Sequence, residues 1–169
     1  MTTSPDPPET RVFADWYREQ YPQVARALAL ATGDPLLGEE AAAEAFARAL
    51  ANWGRVGAMS SPGGWVYTVA LHEVRRTWHR ALLERRAIAR LKLDHAPAPI
   101  APDDALWRAV ADLPPRARTA IALRYVADLP EAEIAAAMNV TRGTVAATLS
   151  HARKQLAAVL APALSEENR

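Results

Sequence analysis

LPPRARTAIALRYVADLPEAEIAAAMNVTRGTVAATLSHARKQLAAVL, residues 113–160, is the stretch that decides the fold of this chain. Apolar residues recur at helical spacing from Ala120 to Val126, and Asp128-Leu129-Pro130 supplies a turn. A short helix with Ile134, Ala135 and Met138 on its apolar side is expected next. Asn139 suits a tight corner, because its short polar side chain tolerates left-handed backbone. Thr141 is placed to cap a second helix whose apolar side carries Val145 and Leu149. Helix, tight corner and helix make a helix-turn-helix, the unit whose second helix enters the DNA major groove.

The rest of the chain narrows the class. Half of the 169 residues are apolar, which is enough for a packed core. No window offers about 18 uninterrupted apolar residues, so no membrane span is expected. The N-terminus lacks a basic start followed by an apolar run, so no secretory signal is expected either. Cysteine is absent, which excludes disulfides and cysteine-based zinc or redox sites and fits a cytoplasmic location. The net charge is +1, so any contact with nucleic acid must come from local patches.

Working outward, residues 1 to about 9 are rich in Pro and Thr. Val12, Phe13, Trp16, Tyr17, Val24, Leu28 and Ala31 then recur at helical spacing, with Pro22 either starting a second segment or kinking the first. Gly33 suits a helix C-terminal cap, Asp34 an N-cap and Pro35 the first position of the next helix, which should run to about Trp53. Gly54 to Gly64 reads as a loop. A helix carrying Trp65, Val66, Val69, Ala70, Val74 and Trp78 should follow and could continue past Leu91, its later half basic. HAPAPIAP, residues 95–102, reads as an extended linker with an acidic far end at Asp103 and Asp104. No strand shows period-two alternation. The expected fold is all-α: two small helical domains, residues 10–92 and 105–161, joined by a Pro-rich linker over 93–104, the C-terminal domain being the helix-turn-helix.

This order of parts resembles the extracytoplasmic-function sigma factors of bacterial RNA polymerase, over about residues 10 to 160. Glu39-Glu40-Ala41-Ala42-Ala43-Glu44-Ala45-Phe46 is similar to the family's acidic segment that docks on the clamp of the polymerase largest subunit. Pro62-Gly63-Gly64-Trp65-Val66-Tyr67-Thr68-Val69-Ala70 resembles the start of the helix that lies near melted promoter DNA. Leu113-Pro114, Asp128-Leu129-Pro130-Glu131-Ala132-Glu133-Ile134-Ala135 and Gly143-Thr144-Val145 match the family's C-terminal domain. Several positions depart from the pattern. His72 and Arg76 stand where the family has an Asn and an Asp, Ala43 replaces a glutamine, and Ala146 and Thr148 occupy positions that are usually basic.

The resemblance implies a protein that binds core polymerase, at its clamp and flap regions, and directs initiation at promoters. It implies polymerase contacts at Glu39, Glu40, Glu44 and Phe46. It puts Tyr67, His72, Arg75, Arg76, His79 and Arg80 near melted DNA. Thr141, Arg142, Thr144, Ala146, Thr148, His151, Arg153 and Lys154 would face the upstream promoter element. An anti-sigma factor is a further partner that the resemblance implies. The alternative is a sigma-derived adaptor or competitor that binds polymerase or a regulator without reading promoters alone. A free helix-turn-helix repressor is a third reading.

The residues alone say less. Arg142 can give guanine a bidentate donor pair, Thr148 can hydrogen-bond or touch a thymine methyl, and Ala146 offers only apolar contact. Arg153 and Lys154 suit phosphates, and Arg116, Arg118 and Arg124 could add backbone contacts. The basic run from Arg75 to Lys92 is either a phosphate-binding surface or a solvated face. Trp65 reads as core, while Tyr67 and Trp78 are the aromatics expected at the surface, where bases could stack on them. From the residues alone the acids at Glu39, Glu40 and Glu44 read as a solvated face, and only the resemblance makes them a docking face to which Phe46 and Leu50 would supply apolar contact. For catalysis there is little: His72 and His79 stand seven apart with Glu73 near, which is too loose for a metal site without a third ligand, and no phosphate loop or nucleophile elbow is present. No enzymatic activity, metal or cofactor is expected.

Overall fold

Two runs of chain, residues 8–88 and 105–166, are described by the computed structural model, and they are helical with short connections. The first run contains α1 (Pro8–Thr32), α2 (Pro35–Ala51), the single turn α3 (Trp53–Val56) and α4 (Pro62–Ile88). The second contains α5 (Ala105–Ala111), α6 (Pro115–Ile121) continued by a π-helical turn over Ala122–Val126, α7 (Glu131–Met138) and α8 (Arg142–Glu166). The linker expected over residues 93–104 lies outside the described residues.

The first helical group is organised by an aromatic cluster. Phe13, Trp16, Tyr17 and Tyr21 project from one side of α1 and meet Phe46 of α2 and Trp53 of α3, with ring centroids 4.8 to 6.1 Å apart. Edge-on and tilted pairs of this kind add about 0.5–1.5 kcal/mol each beyond the area they bury. Beyond the aromatics, Val24, Leu28, Ala42, Ala45, Ala49, Val66, Ala70 and Val74 are fully enclosed, so α1, α2 and α4 meet through small side chains and close backbones. Pro22 neither starts nor ends a helix, since α1 runs through it.

The break between α1 and α2 follows the sequence signals. Gly33 has φ +73°, a left-handed value that costs glycine little. The Asp34 carboxylate accepts hydrogen bonds from the Leu36 and Leu37 amides at 3.0 and 3.2 Å, and Pro35 takes the first helical position. The helix expected to reach Trp53 ends at Ala51 instead. Asn52 caps it, and the chain turns into α3 so that Trp53 joins the cluster.

In the second group Leu113, Ala120, Ile121, Leu123, Ile134, Ala137, Val145, Leu149 and Ala152 form the buried centre. α6 widens into the π-helical turn, with the Ala127 amide bonding the Ala122 carbonyl at 3.1 Å. That widening turns the chain towards Asp128, which has φ +52°, and brings Leu129 back to bond Leu123. The two groups touch along α1 with α6 and along α4 with α7.

Gly38 sits where α2 crosses α1 most closely. A Cβ there would lie 2.7 Å from the Ala29 Cα and overlap its amide nitrogen, both of them backbone atoms that cannot step aside. Gly38→Ala is therefore expected to cost about 1–3 kcal/mol of stability, as overpacked sites do. A lowered urea midpoint with an unchanged slope would show it, and an unchanged midpoint would mean that the helices separate freely.

Candidate nucleic-acid interface

The corner of the helix-turn-helix is built as its residues dictate. Asn139 adopts φ 55°, ψ 50°, and the Val140 amide reaches back to the Ala135 carbonyl at 3.0 Å, closing α7 with a left-handed cap. Thr141 then starts α8: its hydroxyl accepts from the Thr144 amide at 3.1 Å and pairs with the Thr144 hydroxyl at 2.9 Å. Val145, Leu149 and Ala152 turn inward and are buried. That spacing leaves Arg142, Gly143, Thr144, Ala146, Ala147 and His151 on the outer side, all exposed.

This outer side is a lean reading surface. Arg142 is its one guanidinium near the helix start, and Ala146 adds a methyl. Thr148 is half-buried, and its hydroxyl donates to the Thr144 carbonyl at 2.7 Å, so its polar atom is turned onto its own helix. Further along, Arg153 and Lys154 are exposed, and Arg153 donates to the Tyr125 hydroxyl at 3.4 Å. Of the arginines expected to add phosphate contacts, Arg116 is exposed and Arg124 is half-buried, donating to the Leu129 carbonyl at 3.1 Å. Arg118 corrects its expectation. It is partly buried, it donates to the Ala31, Thr32 and Ala111 carbonyls, and burial lowers its pKa.

On α4, His72, Arg76, His79 and Arg80 are exposed along the outer face, and Trp78 is 42% exposed beside them. Arg76 leans on Glu73 at 3.4 Å, and Glu73 is also paired with Arg48 of α2 at 2.6 Å. One further residue corrects its expectation. Tyr67 is 3% exposed and packs in the core, so no base can stack on it here; helical spacing alone did not show that its side of α4 faces inward. Arg75 is exposed too, and its guanidinium donates to the Ala137 carbonyl of α7 at 2.6 Å and to the Leu71 carbonyl at 3.1 Å.

On α2, Glu39 and Glu40 are exposed, and Glu44 is exposed while accepting from Arg48 at 2.8 Å. Phe46 belongs to the aromatic cluster and is 2% exposed, so it supports this acidic face from behind and offers no contact surface. Leu50 is the exposed apolar residue at that end. Sequence reading gave no tertiary contact to Ser61, Glu133 or Gln23. The Ser61 hydroxyl donates to the Glu133 carboxylate at 2.7 Å, and the Gln23 side-chain amide donates to the Val126 carbonyl at 2.9 Å.

Residues 103–156, which hold the whole corner and most of α8, match the family model described as Sigma-70, region 4. The fold of the chain is also like that of a solved sigma factor. The structure of the sigma factor RpoE from Bartonella quintana, solved in complex with the anti-sigma factor NepR, superposes with a TM-score of 0.73. The match covers 89% of this chain and 97% of that one at 18% identity, a likeness of fold that takes in both helical groups. No curated protein matches the sequence. No helix among the described residues is long and apolar enough to cross a membrane.

The buried Tyr67 gives a pH test of this geometry. Its hydroxyl has no hydrogen-bond partner, and burial pushes its pKa well above the ordinary value. Above about pH 10 the unfolded chain loses this proton while the folded chain keeps it, so stability falls as pH rises through that range. Tyr67→Phe removes an unpaired buried hydroxyl and is expected to be at least as stable at neutral pH. It should also lose less stability than the wild type between about pH 9 and about pH 11 in urea titrations. A variant less stable at neutral pH would mean that the hydroxyl is partnered.

Proposed function

We propose that the chain is a sigma factor of the extracytoplasmic-function type that divides its work between its two helical groups, with residues 10–92 binding core polymerase and melted DNA and residues 105–161 reading the upstream promoter element across a linker at 93–104. The observation that carries the reading is α8: a capped helix with an apolar rear and an exposed front, lying within the segment that matches sigma-70 region 4. Arg142 supplies the base-reading donor pair, Ala146 an apolar contact, and Thr141, Thr144, Thr148, His151, Arg153 and Lys154 flank them towards the phosphates.

In the first group, the exposed acids Glu39, Glu40 and Glu44 on α2 form the polymerase-docking face, with Leu50 as its apolar neighbour. His72, Arg76, His79 and Arg80 on α4 meet the melted strand, joined by Arg75 when it is released from α7. Each phosphate that these cations neutralise adds to a salt-sensitive affinity. Energy for opening DNA then comes from binding unpaired strands. A protein like the anti-sigma factor in the Bartonella quintana complex is the regulator this fold would take.

A second reading has its own observation. Ala146 and Thr148 put no charge on the front of α8, and Arg75 is engaged internally. A sigma-derived adaptor or competitor that binds polymerase without reading promoters would show the same features.

Run-off transcription with core polymerase on genomic DNA separates the two. Discrete new start sites are expected for the sigma factor, and at those promoters Arg142→Ala should lower output by about 10- to 100-fold, matching the 1–3 kcal/mol that a bidentate base contact carries. Retained core binding without transcripts would establish the adaptor.

A further inference from the structure

A cleft of about 360 Å³ opens where α1, α4, α6 and the corner of the helix-turn-helix come together. That volume falls among small-ligand sites, which run roughly from 300 to 1,000 Å³. Leu71, Val74, Met138 and Val140 give it apolar walls, and the indole of Trp78, 42% exposed, completes them.

The polar part of the lining is all of one kind. Arg75 and Arg116 both border the cleft, and no carboxylate of the described residues does. A recess walled by cations without a neutralising acid favours an anion. Arg75 is already positioned for one. Its Nε and Nη2 groups bond the Leu71 and Ala137 carbonyls at 3.1 and 2.6 Å, which fixes the planar fork and leaves Nη1 without a partner among the described residues. A guanidinium fixed in this way loses little freedom when it takes a further acceptor. Arg116 is exposed, so its longer reach can close over a ligand from the α6 side. Asn139 lines the cleft as well, and its side-chain amide can both donate and accept.

We propose that this cleft binds a free nucleoside phosphate, with the base laid on the Trp78 indole against the apolar wall and the phosphates held by Arg75 and Arg116. The two halves of the lining select this class together. A bare phosphate would leave the apolar wall wet, and an uncharged ring would cover the guanidiniums without pairing them, which is costly. A ligand that joins a flat ring to a phosphate satisfies both, through stacking and charge-assisted hydrogen bonds. Walls on α1, α4, α6 and the corner enclose the cleft from several sides, which suits a ligand that enters whole rather than a strand that must continue past it.

Isothermal titration calorimetry of the full chain tests this, with ADP, GDP, CDP and UDP as probes and pyrophosphate and adenosine as their separated parts. At least one diphosphate is expected to bind with one site per chain, about tenfold or more tighter than pyrophosphate or adenosine. Trp78→Ala and Arg116→Ala should each weaken it by about tenfold, as loss of a stacked ring or of a charge-assisted hydrogen bond does. Both side chains are exposed, and an unchanged circular dichroism spectrum checks the fold of each variant. Arg55→Ala, which removes an exposed arginine outside the cleft, should leave the affinity as it is. No binding by any of the diphosphates, binding no tighter than that of pyrophosphate, or an affinity unmoved by both cleft variants would overturn the proposal. So would an equal loss in Arg55→Ala, which would mean general charge attraction. Displacement of the bound diphosphate by a single-stranded oligodeoxyadenylate at equal phosphate concentration would assign the cleft to a DNA strand and overturn it too.

Discussion

The end of α1 is the constraint on which the rest of the structure depends. A long helix must stop there with its last carbonyls facing a crowded interior, and buried polar groups without partners cost about 1–3 kcal/mol each. Four neighbouring features solve this. Thr32 folds its hydroxyl back onto the Leu28 carbonyl at 2.8 Å. Gly33 supplies the left-handed turn. Asp34 starts the next helix in the opposite direction. Arg118 arrives from the other helical group to cap the carbonyls of Ala31 and Thr32. Gly33 is doubly required, because a Cβ there would also lie 3.0 Å from the Arg118 guanidinium.

That junction connects local structure to function. It sets α2 antiparallel to α1, which closes the aromatic cluster and leaves Glu39, Glu40 and Glu44 on the outer face. It also seats α6 against α1, and with it the helix-turn-helix. The same packing brings α4 onto α7, so that a basic helix spends one of its arginines on the protein itself. Arg75 thus ties α4 to the C-terminal end of α7.

Much of this was legible in the chain. Thr32-Gly33-Asp34-Pro35 encodes its stop and start through backbone preferences of single residues, and Asn139 with Thr141 encodes the corner of the helix-turn-helix in the same way. Val145 and Leu149 fix which side of α8 is inward because their spacing is that of the helix itself. The extent of α2 was less legible: periodicity continues to Trp53, but Asn52 breaks the helix so that the indole can turn into the cluster.

By itself, the sequence determined the helices, their caps, the helix-turn-helix and the family resemblance, because these depend on local backbone preference and on periodicity within one element. Only the tertiary structure decided which of two plausible sides a residue takes and what it meets there. Tyr67 and Phe46 looked available and are enclosed, since burial depends on the neighbour that covers a face and not on the face's own pattern. Arg118 looked like a phosphate ligand and caps a helix end instead, and the exposed Arg75 also bonds a helix-end carbonyl, because a guanidinium serves any nearby acceptor and only the packing of the two groups supplies these carbonyls.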